Sequence, residues 1–463
     1  MYGSTMNGLP PLSARRQVPG TGSAPGSAPT PRREVTTLSV GILCVVAFLA
    51  CWLRDQTLLG VALLAAVALS GRMPRPRAAD TLALLLGGWA VCTLFWTPDV
   101  GVSRTNAYLY VAATFLFVTV RHLVTTRVDL LLVGGAYLLG CTVRAGQVIA
   151  DAQAAGISPN TGSMALSVRY GIEGFNINFT AYSLATGFLL ALVLIRVGGL
   201  HRVLRLGLYG LLPVLGYAVL LNGTRGALFA LVLGTGYFVV SRWTGRFCWP
   251  VALIGVPVLL VVIPIRVTHS ALTWLDTLFA YRSTGDLAGR MQVWPYALQS
   301  WSESLLLGVG AGIFPVANPL GFGAHSLVLT VGNDLGLVGL VLFAAVVATA
   351  LVPVARTAGG RRLTGLFLVG LLPIWMTGHW DVALGMWLLL ALTSVLTAEG
   401  GSVDAGDRSP AGEGRSLLTD PDREARRRPK TPNGVVPGMP VRRPTPDRPG
   451  TGTGTALVVR DHR

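Results

Sequence analysis

Charged residues are scarce in this chain. They make up 13% of its 463 residues, whereas 52% are hydrophobic and the mean hydropathy is +0.58. A soluble domain carries roughly a quarter charged residues, so the composition excludes a soluble globular protein. Apolar runs of transmembrane length recur from residue 37 to residue 398. The sequence therefore predicts an all-α polytopic membrane protein.

Patterns for metals, disulfides and nucleotides are equally sparse. The five cysteines lie in or at the ends of apolar segments, without the spacing of a metal site, which predicts small packing residues rather than disulfide partners or ligands. Gly308, Gly310 and Gly312 do not form a nucleotide loop, because no strand–turn–helix context surrounds them and no Lys-Ser/Thr pair follows. We expect them to allow a sharp return of the chain. No metal or other cofactor is predicted.

Acidic residues are also few, with 21 Asp and Glu against 37 Lys and Arg. Much of the positive charge lies in two ends, 1–36 and 399–463, and the second end carries 12 of the 37 basic residues. Both ends are rich in Pro, Gly, Ser and Thr, which predicts disordered cytoplasmic tails attracted to anionic membrane lipids. Nucleic acid is not a predicted partner, because the tails lack interleaved aromatic residues and any folded module.

The apolar region 37–398 divides into about twelve predicted transmembrane helices. Their bounds are 37–53, 57–71, 79–96, 106–120, 128–143, 178–195, 204–221, 226–241, 249–267, 325–352, 364–378 and 380–397. With the N-terminus inside, arginines cluster in the short inner turns, as the positive-inside rule requires. This predicts a multi-pass protein of the plasma membrane with both termini cytoplasmic. Two long loops, 144–177 and 268–324, then lie outside, where long loops are usually functional or disordered.

The second outer loop contains an amphipathic segment that begins at Arg290. Met291, Trp294, Leu298 and Trp301 share one face of a helix, and the opposite face is polar. Such a helix is expected to lie in the headgroup layer with its tryptophans at the interface. Arg290 would then sit at the depth of the phosphates.

Four ionisable residues fall on the predicted outer side: Arg169, Arg225, Arg290 and His325. Outer arginines are exceptions to the positive-inside rule, and ionisable groups beside spans usually have a function. Four motifs contain these residues: Arg169-Tyr170-Gly171 with Asn176 and Asn178, Asn222-Gly223-Thr224-Arg225-Gly226, Gly289-Arg290 with Trp294, and Ala324-His325-Ser326. Two further motifs accompany them in the chain: the run Leu305 to Gly312, and Asp334-Leu335-Gly336-Leu337-Val338-Gly339. This ordered series resembles the O-antigen ligase and polymerase superfamily over roughly residues 37–398.

The resemblance implies both a fold and a reaction. Members of this superfamily transfer a glycan from a polyprenyl diphosphate carrier, such as undecaprenyl diphosphate, to an acceptor hydroxyl on the outer face without a metal. The implied partners are therefore a polyprenyl diphosphate-linked glycan donor and a glycan, lipid or wall acceptor. The fold would resemble the multi-span GT-C-like architecture of lipid-linked glycosyltransferases. The resemblance leaves open whether the protein is a ligase or a polymerase in cell-surface polysaccharide biosynthesis.

Three positions depart from the pattern of that superfamily. Ser326 follows His325 where Asn is usual, Asp334 replaces Glu, and Ser302-Glu303-Ser304 replaces His-Pro. These differences leave the acceptor and the subgroup open.

The resemblance also suggests roles for the four outer residues. Arg225 and Arg290 are expected to hold the diphosphate, because a guanidinium group binds phosphate oxygens in pairs. Arg169 is expected to assist them or to gate access of the donor. His325 is expected to act as a general base or to position the acceptor hydroxyl. The simpler alternatives are lipid headgroup contacts for the arginines and a helix cap for the histidine.

Three further polar residues, Asp334, His379 and Asp381, are predicted either on the acceptor side or in structural positions. Asp334 is too far along the chain from His325 for direct pairing, and its structural interpretation is a contact inside the bundle. For His379 and Asp381 the sequence favours a wet outer turn over the acceptor side. Arginines without a motif are interpreted as surface residues: Arg54, Arg104, Arg144, Arg266 and Arg282.

Two other functions remain open from the sequence. A transporter or flippase would show repeated halves and polar or broken helices at the midplane, and the sequence has no clear internal repeat. An inactive membrane scaffold is the second alternative, because the His-Asn and Glu positions are altered. The retained Arg290 and His325 favour an enzyme.

Overall fold

The computed structural model describes residues 31–52, 57–71, 76–155, 169–171, 176–197, 200–243, 290–378 and 380–406. Within these ranges every regular element is a helix. The α-helices are α1 (Pro31–Leu49), α2 (Thr57–Leu69), α3 (Ala78–Cys92), α4 (Val100–Leu123), α5 (Arg127–Ala154), α6 (Ile177–Val197), α7 (Arg202–Asn222), α8 (Arg225–Val240), α9 (Arg290–Glu303), α10 (Phe314–Ala317), α11 (Leu327–Leu351), α12 (Ala358–Thr377) and α13 (Leu384–Gly406). Short 3₁₀ turns lie at Thr93–Phe95 and Val354–Arg356.

A helix coincides with each predicted span except 249–267, which lies outside the described residues. Among the described residues, five helical segments are long and apolar enough to cross a membrane: Ala78–Phe95, Arg127–Ala154, Ile177–Val197, Arg202–Asn222 and Leu327–Leu351. Several others are apolar but shorter, such as Arg225–Val240. The chain is thus a helical protein with membrane-spanning helices. The number twelve stays a prediction.

The predicted tails and outer loops lie only partly within the described residues. Helix α1 begins inside the tail predicted for 1–36, and α13 extends to Gly406 inside the tail predicted for 399–463. The first outer loop was predicted to begin at residue 144, but α5 continues to Ala154. Of the second outer loop, the stretch 268–289 lies outside the described residues.

Helix α6 is the centre of the described fold. Of its apolar stretch, 89% is buried inside the protein, and the helix packs against α5, α7, α8 and α12. Helix α7 is the opposite case, because only 17% of its apolar stretch is buried and large hydrophobic side chains such as Val203 and Leu206 are exposed. An exposed apolar face of this kind is suited to lipid contact.

The extension of α5 explains why one prediction about Arg144 is wrong. This arginine was interpreted as a surface residue, but only 3% of it is exposed. Its Nη2 donates to Thr180 Oγ1 on α6 at 2.8 Å, and its guanidinium lies 5.8 Å from the ring centre of Trp52. Burial is tolerated because the charge is hydrogen-bonded and stacked on an aromatic ring. Arg104, interpreted in the same way, is exposed. Arg54, Arg266 and Arg282 lie outside the described residues.

Helix α11 is broken at Gly336, which has φ 67° and ψ −168°. This conformation is open mainly to glycine, and it interrupts the helical hydrogen bonds. Hydrogen bonds to the segment before α10 replace the helical bonds that are lost. Four backbone hydrogen bonds join the two segments: Val309 N to Asn333 O at 2.7 Å, Gly310 N to Asp334 O at 3.2 Å, Leu337 N to Leu305 O at 2.8 Å and Val338 N to Leu306 O at 3.3 Å. The indole of Trp89 adds a bond to Leu335 O at 2.8 Å.

The three glycines singled out from the sequence form the turn that makes this junction. Gly308, Gly310 and Gly312 have φ values of 75°, 116° and 72°, in agreement with the expected sharp return of the chain. A Cβ on Gly308 would lie 2.5 Å from Gly336 N, so the two segments touch backbone to backbone. This contact fixes the position of the loop that leads to His325.

The amphipathic segment is a helix, α9, but its packed face differs from the prediction. Val293 and Ala297 are buried, whereas Leu298 is exposed. The two tryptophans do help to fasten α9: Trp294 Nε1 donates to Ala324 O at 2.9 Å, and Trp301 covers Gly332 of α11. The buried face of α9 is the one that packs closely on α11, because small side chains allow the two backbones to approach.

Candidate functional site

The turn between α7 and α8 forms the floor of the candidate site. Helix α7 ends at Asn222, and Gly223 follows with φ 68°, the left-handed conformation that commonly ends a helix. The buried Asn222 amide donates to Tyr170 O at 3.1 Å and to Ile177 O at 2.9 Å. These bonds hold the start of α6 and the segment around Tyr170 against the turn.

Arg169 is held in place by three neutral oxygens on this floor. Its Nε donates to Asn222 O at 3.1 Å, and its Nη2 donates to Asn178 Oδ1 at 2.5 Å and to Thr224 Oγ1 at 2.6 Å. Thr224 is in turn bonded to the Asn222 side chain at 2.6 Å. These hydrogen bonds orient the guanidinium group without neutralising its charge.

Arg290 lies at the first position of α9 and reaches the end of α12. Its Nη2 donates to Thr377 O at 2.8 Å, and the same carbonyl accepts from Tyr182 Oη at 3.1 Å. The last carbonyls of a helix lack helical partners and carry partial negative charge, so they attract a cation. Burial lowers the pKa of Arg290 from its usual value, and the nearby Tyr182 opposes this shift. Arginine stays charged at neutral pH because its usual pKa is so high.

The structure brings Arg169 and Arg290 together at Tyr182, and it places the start of α8, where Arg225 lies, beside Thr377. Both Arg169 and Arg290 interact electrostatically with the Tyr182 hydroxyl. Arg225 begins α8 directly after Thr224, and its neighbour Gly226 packs against Thr377 and the Tyr182 ring. A Cβ on Gly226 would lie only 1.9 Å from Thr377 Oγ1, so a residue larger than glycine does not fit at position 226. Three segments from distant parts of the chain, each with an arginine, therefore meet at one site.

His325 precedes α11 rather than opening it, because Ser326 is the N-cap and the helix begins at Leu327. Among the described residues it is the one non-glycine residue with a positive φ, 48°. Such backbone strain in a histidine is uncommon and concentrates at functional sites. The bond from Trp294 to Ala324 O ties the His325 backbone to α9, one helical turn from Arg290. His325 is thus anchored to the same helix that presents Arg290.

Asp334 is a buried contact inside the bundle, as its structural interpretation expected. It lies just before the break in α11, and its carboxylate accepts a hydrogen bond from the backbone of Gly312. The pattern Asp334 to Gly339, taken from the sequence as a motif, therefore describes the junction between the glycine turn and the broken helix.

Asp381 contradicts the expectation of a wet outer turn, because only 2% of the residue is exposed. Tyr110 Oη donates to its Oδ2, and Trp387 Nε1 donates to its backbone carbonyl at 2.6 Å. Burial raises the pKa of Asp381 above its ordinary 3.8, while the Tyr110 hydrogen bond lowers it. Its neighbour His379 lies outside the described residues.

Reasoning from the sequence missed Tyr182 and Thr377, the residues at the centre of the site. Both lie in apolar helices and carry no charge, so hydropathy gave no sign of them. A usable signal existed for Asn178, which belongs to the Arg169 motif and does bind Arg169. A second missed feature is the aromatic group beside the site, where Trp380 stacks on Phe179 and meets Tyr182 edge-on at 5.2 Å.

Comparison with known families bears on the same part of the chain. The family described as Wzy_C, O-Antigen ligase, matches residues 210–344. The match covers less than half of the chain, so it shows that this region is similar to the O-antigen ligase family. The matched O-antigen ligase region contains Arg225, Arg290, His325 and Asp334, whereas Arg169 and Asp381 lie beyond its ends. No curated protein matches the chain.

The match confirms the resemblance inferred from the motifs for residues 210–344. The similarity of residues 210–344 to this family suggests glycan transfer of the O-antigen ligase or polymerase type, in polysaccharide biosynthesis. It also agrees with a multi-pass membrane protein, as the apolar helices show.

Proposed function

We propose that this protein transfers a glycan from a polyprenyl diphosphate-linked donor to an acceptor hydroxyl at the extracytoplasmic face of the plasma membrane. The acceptor oxygen attacks the anomeric carbon of the donor glycan. The bond from that carbon to the diphosphate oxygen breaks, and polyprenyl diphosphate leaves with the bonding electrons. The chain's own residues would have to stabilise the negative charge that develops on this leaving group.

The observation that carries the proposal is the convergence of Arg169 and Arg290 at Tyr182, beside the start of α8 where Arg225 lies. A diphosphate carries several negative charges, and guanidinium groups match the geometry of its oxygens. Charge–charge attraction is strengthened where water is excluded, and Arg290 is partly buried. Preorganised cations of this kind stabilise a developing anion most, because they need not reorganise during the reaction.

In the proposed mechanism His325 removes the proton from the acceptor hydroxyl or positions that hydroxyl. A histidine suits this role because its usual pKa lies near neutrality. Its strained backbone is held beside α9 by the bond of Trp294 to Ala324 O. Arg225 and Arg290 bind the diphosphate. Arg169, which is oriented by its three hydrogen bonds to neutral oxygens, assists them.

The broken helix α11 is the feature that would favour a transporter instead, since transporters bind their cargo at discontinuous helices. In this chain the freed backbone groups of Asn333 and Asp334 are already bonded to the glycine turn, and Leu335 O is bonded to Trp89. The break is therefore a packed junction rather than an open binding site. This favours the transferase over the transporter.

A transfer assay tests the proposal. Purified full-length protein in nanodiscs would be mixed with membrane-extracted polyprenyl diphosphate glycans in the presence of EDTA, and products would be read by mass spectrometry. Longer chains on polyprenyl diphosphate would identify a polymerase, and intact glycan moved to another acceptor would identify a ligase. No release of polyprenyl diphosphate by folded protein with matched substrate would contradict the proposal.

A further inference from the structure

Two buried cysteines meet where α1 packs against α5. Cys51 follows the end of α1, and Cys141 lies within α5. Their Sγ atoms are 3.3 Å apart, and at most 3% of either residue is exposed. The sequence separation of 90 residues gives no hint of this contact, which is why sequence reasoning assigned both cysteines to packing.

The backbones at this crossing are close enough for a covalent link. A Cβ on Gly140 would lie 2.4 Å from Phe48 O and 3.4 Å from Phe48 Cα. Adding one C–C bond to the second distance puts the two Cα atoms at most about 5 Å apart. Gly140 precedes Cys141, and Phe48 lies one helical turn before Cys51. Disulfides span Cα separations of about 4.4–6.8 Å, and the helices next to the two cysteines approach each other at least this closely.

Helix α6 keeps the Cys141 sulfur in position. A Cβ on Gly187 would come within 2.7 Å of that sulfur, so glycine is needed there to make room for it. The thiol also lies 3.6 Å from Ser183 O. The pair is thus enclosed by three helices, and its sulfurs have little freedom to move apart.

We propose that Cys51 and Cys141 form a disulfide bond that joins α1 to α5. In the proposed topology both residues lie near the outer ends of their spans, on the oxidising side of the membrane. The oxidant is a disulfide of a thiol–disulfide exchange protein. One cysteine thiolate attacks it to form a mixed disulfide. The second thiolate then displaces the other sulfur, so the oxidant leaves as two thiols that carry the two protons. Since both sulfurs are buried in the packed protein, this exchange takes place while the helices assemble.

The link would brace the helix that supports the candidate site. Arg144 lies one turn after Cys141 and bonds Thr180 on α6, close to Asn178, which holds Arg169. A cross-link between residues far apart in the chain restricts the unfolded state strongly. The proposal does not rest on the glycan-transfer function, since it concerns the covalent state of the protein alone.

Peptide mapping tests the bond in the wild-type protein. Cells grown in air would be lysed in N-ethylmaleimide, and the full-length protein would be denatured, digested without reductant and analysed by mass spectrometry. We expect a Cys51–Cys141 linked peptide that disappears after reduction. Cys44 and Cys92, which are only half-buried, are internal controls and should carry maleimide. Maleimide on both Cys51 and Cys141 would overturn the proposal.

Serine variants supply a second, independent readout. Reductant should lower the thermal unfolding temperature of the wild-type protein and of C44S, but not that of C51S or C141S, which lack the bond already. If the serine variants fail to insert, two measurements on the wild-type protein still test the disulfide. These are the unfolding temperature with and without reductant, and the peptide map. An unfolding temperature of the wild type that does not respond to complete reduction would overturn the bracing role.

Discussion

At the scale of single residues, Arg290 could bind a phosphate through its charge alone or through the planar shape of its guanidinium group. Its Nη2 donates to Thr377 O, which fixes how the planar guanidinium lies in the site. A lysine in its place would keep the charge but lose the fork. The guanidinium shape, and not charge alone, is therefore expected to matter for transfer.

We predict that Arg290→Ala lowers the rate of glycan transfer by about 10²–10³-fold, the usual cost of removing one preorganised charge-stabilising group. Arg290→Lys should recover only part of that loss. Steady-state kinetics in nanodiscs would measure both, with the exposed Arg104→Ala as the matched control. Equal rates for Arg290→Ala and Arg104→Ala would remove Arg290 from the mechanism.

The buried carboxyl of Asp381 predicts a dependence of stability on pH. Burial raises its pKa above 3.8, so the folded protein retains a proton that the unfolded chain releases. Stability should therefore fall as pH rises from about 3.8 through the raised pKa. Asp381→Asn keeps an acceptor for Tyr110 and cannot ionise, so its unfolding temperature should change less with pH. Thermal unfolding from pH 4 to pH 8 measures this, with Asp99→Asn, at the exposed cap of α4, as the control. An equal pH dependence in Asp381→Asn and the wild type would contradict it.

Residue identity and sequence order single out Arg169, Arg225, Arg290 and His325 as candidates, because their motifs occur in a known order, and their roles stay predictions. They were not enough to find the burial of Asp381 or Arg144. A polar residue at the end of an apolar run is placed outside by hydropathy, whereas its real environment depends on partners far along the chain. Tyr110 and Thr180 are those partners.

At the scale of elements, the break in α11 depends on Gly336. A Cβ at this position would lie 2.2 Å from Leu306 O, and the positive φ already disfavours any other residue. We predict that Gly336→Ala destabilises the protein by at least about 1–3 kcal/mol and shifts the loop that carries His325. Thermal unfolding and transfer activity would both be measured.

Gly135 offers a matched control for that substitution. It lies in the apolar helix α5 with an ordinary helical φ, and a Cβ added there would meet no other atom within 4 Å. Gly135→Ala should leave stability unchanged or raise it slightly, because alanine favours helix. A Gly336→Ala protein as stable and active as Gly135→Ala would show that the break is not required.

Element positions were largely predictable because hydrophobic periodicity fixes where apolar helices lie. Their ends were less so: α5 continues past its predicted end, since Arg144 finds buried partners. The packed face of α9 was also misjudged, with Leu298 exposed and Ala297 buried. Helical periodicity predicts that the most hydrophobic face of a helix is buried. Helix α9 packs so closely on α11 that only small side chains fit at the contact.

At the scale of the whole molecule, the proposed function requires that the arginine site face outwards. Phe322 is exposed in the loop before His325, and Gly359 is exposed at the start of α12. We predict that Phe322→Cys reacts with a membrane-impermeant maleimide in intact cells, whereas Gly359→Cys reacts only after permeabilisation. The wild-type protein measures the background from its own cysteines. The reverse pattern would place the site in the cytoplasm and contradict extracytoplasmic transfer.

Binding of the leaving group tests the central claim most directly. Native mass spectrometry of the protein in nanodiscs would compare polyprenyl diphosphate with polyprenyl monophosphate. The account predicts that the wild type and Arg104→Ala prefer the diphosphate by at least tenfold, and that Arg169→Ala, Arg225→Ala and Arg290→Ala each reduce that preference. Equal affinity of the folded wild type for the two lipids, or an undiminished preference in the three variants, would contradict a diphosphate site built from these arginines.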